Sequence, residues 1–77
     1  MAEKIRGRPL PHLRAWRMHK LLAQGELAEV SGLARATITR AEQGNMIVSF
    51  ANIRKLAAAL GISADDLLRR APDGTTE

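Results

Sequence analysis

The stretch Gln24 to Gly44, QGELAEVSGLARATITRAEQG, sets Ala28, Gly32 and Ile38 at a spacing that fits two short helices joined by one tight turn. Ala28 presents only a methyl group where a second helix must cross closely. Gly32 can take the positive φ that such a turn requires without a Cβ penalty. Leu27, Leu33, Ile38 and Ala41 fall where apolar side chains fill the angle between the helices. The outer face of the second helix is left polar, and a helix displayed this way has the shape that enters a DNA major groove.

Outward from this unit the organisation is simple. Residues 1–11 contain Gly7, Pro9 and Pro11 with few apolar side chains, which predicts a flexible basic arm. A first helix is expected from His12 to about Leu22, with Leu13 and Trp16 on one face and Arg14 and Arg17 alongside. The second and third helices are expected over 24–31 and 35–43. Residues 44–48 form a connection, after which Ser49 can cap a fourth helix carrying Phe50, Ile53, Leu56, Ala57 and Leu60 at helical spacing, ended by Gly61. Ser63 with Asp66 resembles a capping box for a short fifth helix, acidic at its start and basic at Arg69 and Arg70. Pro72 and Gly74 mark a loose tail over 72–77, so the folded domain is expected to run from 12 to 71.

Seventy-seven residues allow one domain with one core, small enough that association with a second copy would help it. The chain has no cysteine, which excludes disulfide staples and thiolate metal sites. No apolar run approaches a membrane span and MAEKIRGRPLP lacks the hydrophobic stretch of a signal peptide, so a cytoplasmic protein without membrane partners is expected. The net charge of +4 is uneven: residues 1–20 hold Lys4, Arg6, Arg8, Arg14, Arg17 and Lys20 against Glu3 alone. A sequence pI near 10.7 points to a polyanionic partner, with simple solubility as the plainer alternative. His12 and His19 have no acidic or cysteine partner nearby, and no base lies beside a nucleophile. The expectation is therefore a non-enzyme with no metal, cofactor or small-molecule ligand.

Taken together, LRAWRMHKLLAQGELAEVSGLARATITRAEQG (13–44) and VSFANIRKLAAALGISADDLL (48–68) resemble the phage-repressor, or XRE-like, helix-turn-helix domains of bacteria and their viruses. The resemblance implies an all-α, compact five-helix domain with helix 2 across the DNA backbone and helix 3 in the major groove, acting as a dimer in transcriptional regulation, most often repression. The IVSF stretch at 47–50 is also similar to small controller proteins of restriction-modification operons. The same resemblance gives Arg17 and Glu42 as an internal ion pair, not DNA contacts. The chain departs from the family at Leu21, where glycine commonly ends helix 1, and at Ala23 and Ala34, where Ser or Thr commonly caps helices 2 and 3. A missing cap typically costs about 1 kcal/mol.

Advancing about 100° per residue from Arg35 puts Ile38 and Ala41 on the buried side of helix 3. Ala36, Thr39, Arg40 and Gln43 then face outward, flanked by Arg35 and Thr37. Arg40 is the leading candidate for base contact, since its planar fork can donate two bonds to guanine. Thr37 and Thr39 are candidates for phosphate or a thymine methyl, Ala36 permits close approach, and the plain alternative for all of them is a solvated helix face. Gln24 begins helix 2, where free amides favour a phosphate, and the resemblance makes it a backbone clamp. Asn45 is a similar phosphate candidate or an ordinary turn residue. Arg6-Gly7-Arg8-Pro9 resembles the centre of an AT-hook, whose arginines enter a narrow minor groove; loose phosphate attraction or plain disorder are the alternatives.

The partners expected are double-stranded DNA and a second copy of the chain, with Ile47, Val48, Leu67 and Leu68 as candidate dimer contacts. For Leu67 the monomer core is an equal alternative. A second functional class stays open beside the DNA-binding regulator. It is an antitoxin-type module that neutralises a protein partner through an apolar patch at Ile47, Val48 and Phe50 and binds DNA only for autoregulation.

Overall fold

The computed structural model describes residues 7–44 and 46–72 and contains five helices and one short strand pair. In chain order these are β1 (Gly7–Arg8), α1 (Leu13–His19), α2 (Gln24–Ser31), α3 (Arg35–Glu42), β2 (Val48–Ser49), α4 (Phe50–Leu60) and α5 (Ala64–Arg69). The apolar positions at helical spacing become one core: Leu13, Leu27, Ile38, Ala41, Ile53, Leu56, Ala57, Leu60 and Leu67 are all buried. α2 packs against both α3 and α4, and α5 closes on α4. Gly32 takes φ 78° at the α2–α3 turn, as its position predicts, and Ala28 is buried where α2 meets its neighbours.

Two expectations at the chain ends are corrected. The flexible arm does not extend to residue 11, because β1 pairs antiparallel with β2, Gly7 opposite Ser49 and Arg8 opposite Val48, and Leu10 lies in the core at 1% exposure. Gly7 is required there by close approach: a Cβ would stand 1.9 Å from the Val48 carbonyl oxygen and 2.6 Å from its carbon. At the other end Pro72, expected in a loose tail, is buried, so the packed unit reaches beyond 12–71 on both sides.

The helix ends show how the capping signals expected from the resemblance are replaced. Ser49 and Ser63 cap α4 and α5 by accepting from the backbone N–H of Asn52 (3.1 Å) and Asp66 (3.0 Å). Ala23 has no acceptor to cap α2, but Glu26 supplies the reciprocal half of a capping box, its Oε1 accepting from the Ala23 N–H at 2.8 Å. Ala34 caps α3 with nothing. After α1, Leu22 N–H donates to the Arg17 carbonyl and Leu21 N–H to the Met18 carbonyl, the two bonds of a Schellman motif. That motif needs a left-handed residue, and Leu21 supplies it at φ 60°.

Left-handed backbone costs an L-residue roughly 1–2 kcal/mol, part of which glycine gives back through its freer unfolded state. Leu21 is 89% exposed and has almost no packing to lose. Leu21→Gly is therefore expected to stabilise the domain by about 1 kcal/mol. The measurement is the urea midpoint, with Leu21→Ala as the control that keeps the strain and should gain nothing.

Candidate nucleic-acid interface

α3 is anchored from beneath by Ile38 and Ala41, both fully buried, which leaves its opposite side to solvent. Arg35, Ala36, Arg40 and Gln43 are exposed there, while Thr37 and Thr39 are half-buried. Among the described residues neither Arg35 nor Arg40 enters an ion pair, so both guanidinium groups keep their donors for a partner. This is the face that helical phase alone predicts, with one exception at Thr39. Its hydroxyl turns inward, 3.2 Å from Gln24 Oε1 and 3.1 Å from the Arg35 carbonyl oxygen.

Behind α3 lies a network of charged and amide groups. Arg17 reaches across from α1 and grips Glu42 with two donors, Nε to Oε2 and Nη2 to Oε1 at 3.0 Å, while Nη1 donates to the Leu22 carbonyl at 2.7 Å. The side chains are only 12% and 6% exposed, and the bond to Glu42, opposed by burial, raises the already high pKa of Arg17. Gln24, at the start of α2, joins the same carboxylate: its Nε2 donates to Glu42 Oε1 at 3.0 Å. The ion pair implied by the family resemblance is thus present and ties α1 to the end of α3. Gln24 is more heavily engaged within the protein than a simple phosphate clamp.

The network floors a cleft of about 300 Å³ lined by Arg14, Arg17, Gln24, Thr39, Glu42 and Gln43. Arg14 was not among the candidates drawn from sequence, yet it is exposed, in no ion pair among the described residues, and placed at this cleft. Arg14 stands three residues before Arg17 on one face of α1, so the Arg17–Glu42 pair that fixes Arg17 at the cleft brings Arg14 to it as well.

The remaining candidates divide. Arg8 is exposed on β1, held by the strand pair instead of riding on a free arm, and Gly7 is accounted for by its contact with Val48. Arg6 and Asn45 lie outside the described residues. Of the candidate dimer contacts, Val48 is corrected and Leu67 takes its alternative place: both have no exposed surface and complete the monomer core. Val48 is equally removed from the proposed partner patch. Ile47 is 58% exposed, Phe50 lies open beside β2, and Leu68 is half-buried. Among the described residues no helix is long and apolar enough to cross a membrane.

Comparison with known proteins agrees with this geometry. The family model "HTH_3: Helix-turn-helix" matches residues 13–67. A hypothetical transcription factor of Neisseria meningitidis serogroup B is 39% identical over 57 residues, which are 74% of this chain and 54% of that protein, so the chain spans about half the length of this relative. The restriction-modification controller protein C.AhdI from Aeromonas hydrophila superimposes with a TM-score of 0.71 at 45% identity, covering 73% of this chain and 85% of that one. The P22 c2 repressor, solved in complex with a synthetic operator, gives a TM-score of 0.71 at 26% identity, covering 80% of this chain and 94% of the repressor.

Proposed function

The chain belongs to the HTH_3 helix-turn-helix family, and on that premise we propose that it is a sequence-specific double-stranded DNA-binding repressor that acts as a homodimer in the cytoplasm. The observation that carries the reading is the outer face of α3, where Arg35 and Arg40 stand exposed and without ion-pair partners among the described residues on a helix pinned by Ile38 and Ala41. In this proposal Arg40 reads a guanine edge, Ala36 allows the groove floor to approach, and Arg35, Thr37 and Gln43 flank it. Gln24 and Arg14 hold the backbone at the cleft, and Arg8, fixed by β1, supplies a phosphate contact. Neighbours bearing the names of a transcription factor, a controller protein and an operator-bound repressor support regulation as the role. The exposed Ile47 and Phe50 support a second copy as the partner; the antitoxin-type alternative would place a different protein on that same patch.

Selecting bound sites from random duplexes and footprinting the best of them tests the proposal. A dimer predicts two half-sites about 34 Å apart. Arg40→Ala is expected to weaken the preferred site by about 1–3 kcal/mol and to relax discrimination at one base pair, with non-specific binding less affected. Equal losses on cognate and random DNA would make Arg40 a phosphate contact. Failure to enrich any sequence would defeat the reading as a whole.

A further inference from the structure

We infer that Thr39, although it lies on the recognition helix, is a positioning residue for Gln24 and not a reader of bases: with Glu42 it fixes the Gln24 amide so that one N–H is left for a DNA backbone phosphate at the Arg14 cleft. The inference rests on the DNA-binding reading above and adds a role within it.

The argument begins with donors and acceptors. The Glu42 carboxylate accepts only and is held in place by two donors of Arg17. Whatever faces it from Gln24 must donate, which assigns the amide nitrogen to Glu42 and turns the amide oxygen toward Thr39. The flip of this amide is therefore dictated by chemistry. Nε2 carries two hydrogens and gives one to Glu42, so the second is the donor remaining at a cleft that also presents Arg14 and Gln43.

Thr39 completes the lock. Its single hydroxyl proton is shared between Gln24 Oε1 and the Arg35 carbonyl oxygen, at 3.2 and 3.1 Å, so it has no proton for a base or phosphate. A glutamine held at both ends of its amide has fewer rotamers to lose when it meets a phosphate, which is how a residue that never touches the ligand raises affinity. Because the phosphate contact carries no sequence information, loss of Thr39 should weaken binding without changing which site is preferred.

The test uses the full chain and a duplex recovered by selection. Thr39→Val removes the hydroxyl at nearly constant shape and is expected to weaken binding about threefold to tenfold, the range of one hydrogen bond. Thr39→Ser restores the hydroxyl and the affinity. In a Gln24→Ala background the Thr39→Val change should have no further effect, and repeating the selection with Thr39→Val should return the same site. A second readout needs no DNA: the Gln24 side-chain amide protons, distinct in the NMR spectrum of the free protein, should move toward the positions of a solvated glutamine in Thr39→Val. Unchanged Gln24 resonances, multiplying losses in the double variant, or a changed preferred base would each overturn the inference. A wild-type chain that enriches no duplex while Gln24 still responds to Thr39→Val would overturn the DNA reading, and with it the phosphate role of Gln24, while the positioning of Gln24 by Thr39 would stand.

Discussion

Truncating Leu10 to alanine is expected to destabilise the domain by about 2–5 kcal/mol, the range for emptying a buried leucine site. The residue sits at 1% exposure, and a domain of this length has on the order of 4–12 kcal/mol in all, so the loss would be a large share of its stability. Gly7→Ala should approach the same effect by another route. The new methyl would stand 1.9 Å from the Val48 carbonyl oxygen and 3.0 Å from Ser49 Cα, all of it backbone, so β1 must leave β2 and draw Leu10 with it. Arg8→Ala, exposed on the same strand, is the control and should stay within about 0.5 kcal/mol. Urea denaturation of the three variants decides: near-equal midpoints for all of them would restore residues 7–11 to a free arm. The same result bears on the RGRP motif, since a glycine needed by the sheet is not needed to explain approach to a minor groove.

What the sequence disclosed and what it hid follow from the range of the interactions involved. Both helices of the central unit were legible to within a residue, because the Ala28, Gly32 and Ile38 spacing is a local constraint and each end carries its own signal. Ser49 and Ser63 were legible as caps for the same reason. Leu10 was not, because one leucine between two prolines has no periodicity and its burial depends on a strand pair with distant Val48. Val48 is a candidate for a dimer surface, and Leu67 for either that surface or the core, because an apolar residue in a connection or a short helix does not disclose which surface it covers; the monomer core takes both. Helical phase put Thr39 on the reading face, and by angle it belongs there. Its hydroxyl turns away because Gln24, on another helix, offers an acceptor, which no periodicity within α3 encodes. The Arg17 and Glu42 pair, 25 positions apart, came only through the family resemblance.

That pair sets the second large effect. Glu42→Ala is expected to destabilise the fold by about 3 kcal/mol, the low end of the range for stranding one partner of a buried pair, since Arg17 keeps the Leu22 carbonyl and a little solvent. The size comes from what is left behind: a buried guanidinium, which stays protonated even without its partner, and a Gln24 amide whose donor has lost its acceptor. If the stranded charge dominates, Arg17→Met combined with Glu42→Leu should recover most of the loss and come within about 1 kcal/mol of the parent, because apolar replacement of both partners leaves no buried ion. DNA affinity should not recover with it, since Gln24 still lacks the carboxylate that fixes its amide. Thermal melts alongside binding curves for the single and double variants separate the two effects. A double variant as unstable as Glu42→Ala would mean that the pair holds α1 to α3 by its bonds themselves. A double variant with full affinity would mean that Glu42 matters to DNA binding only through the fold.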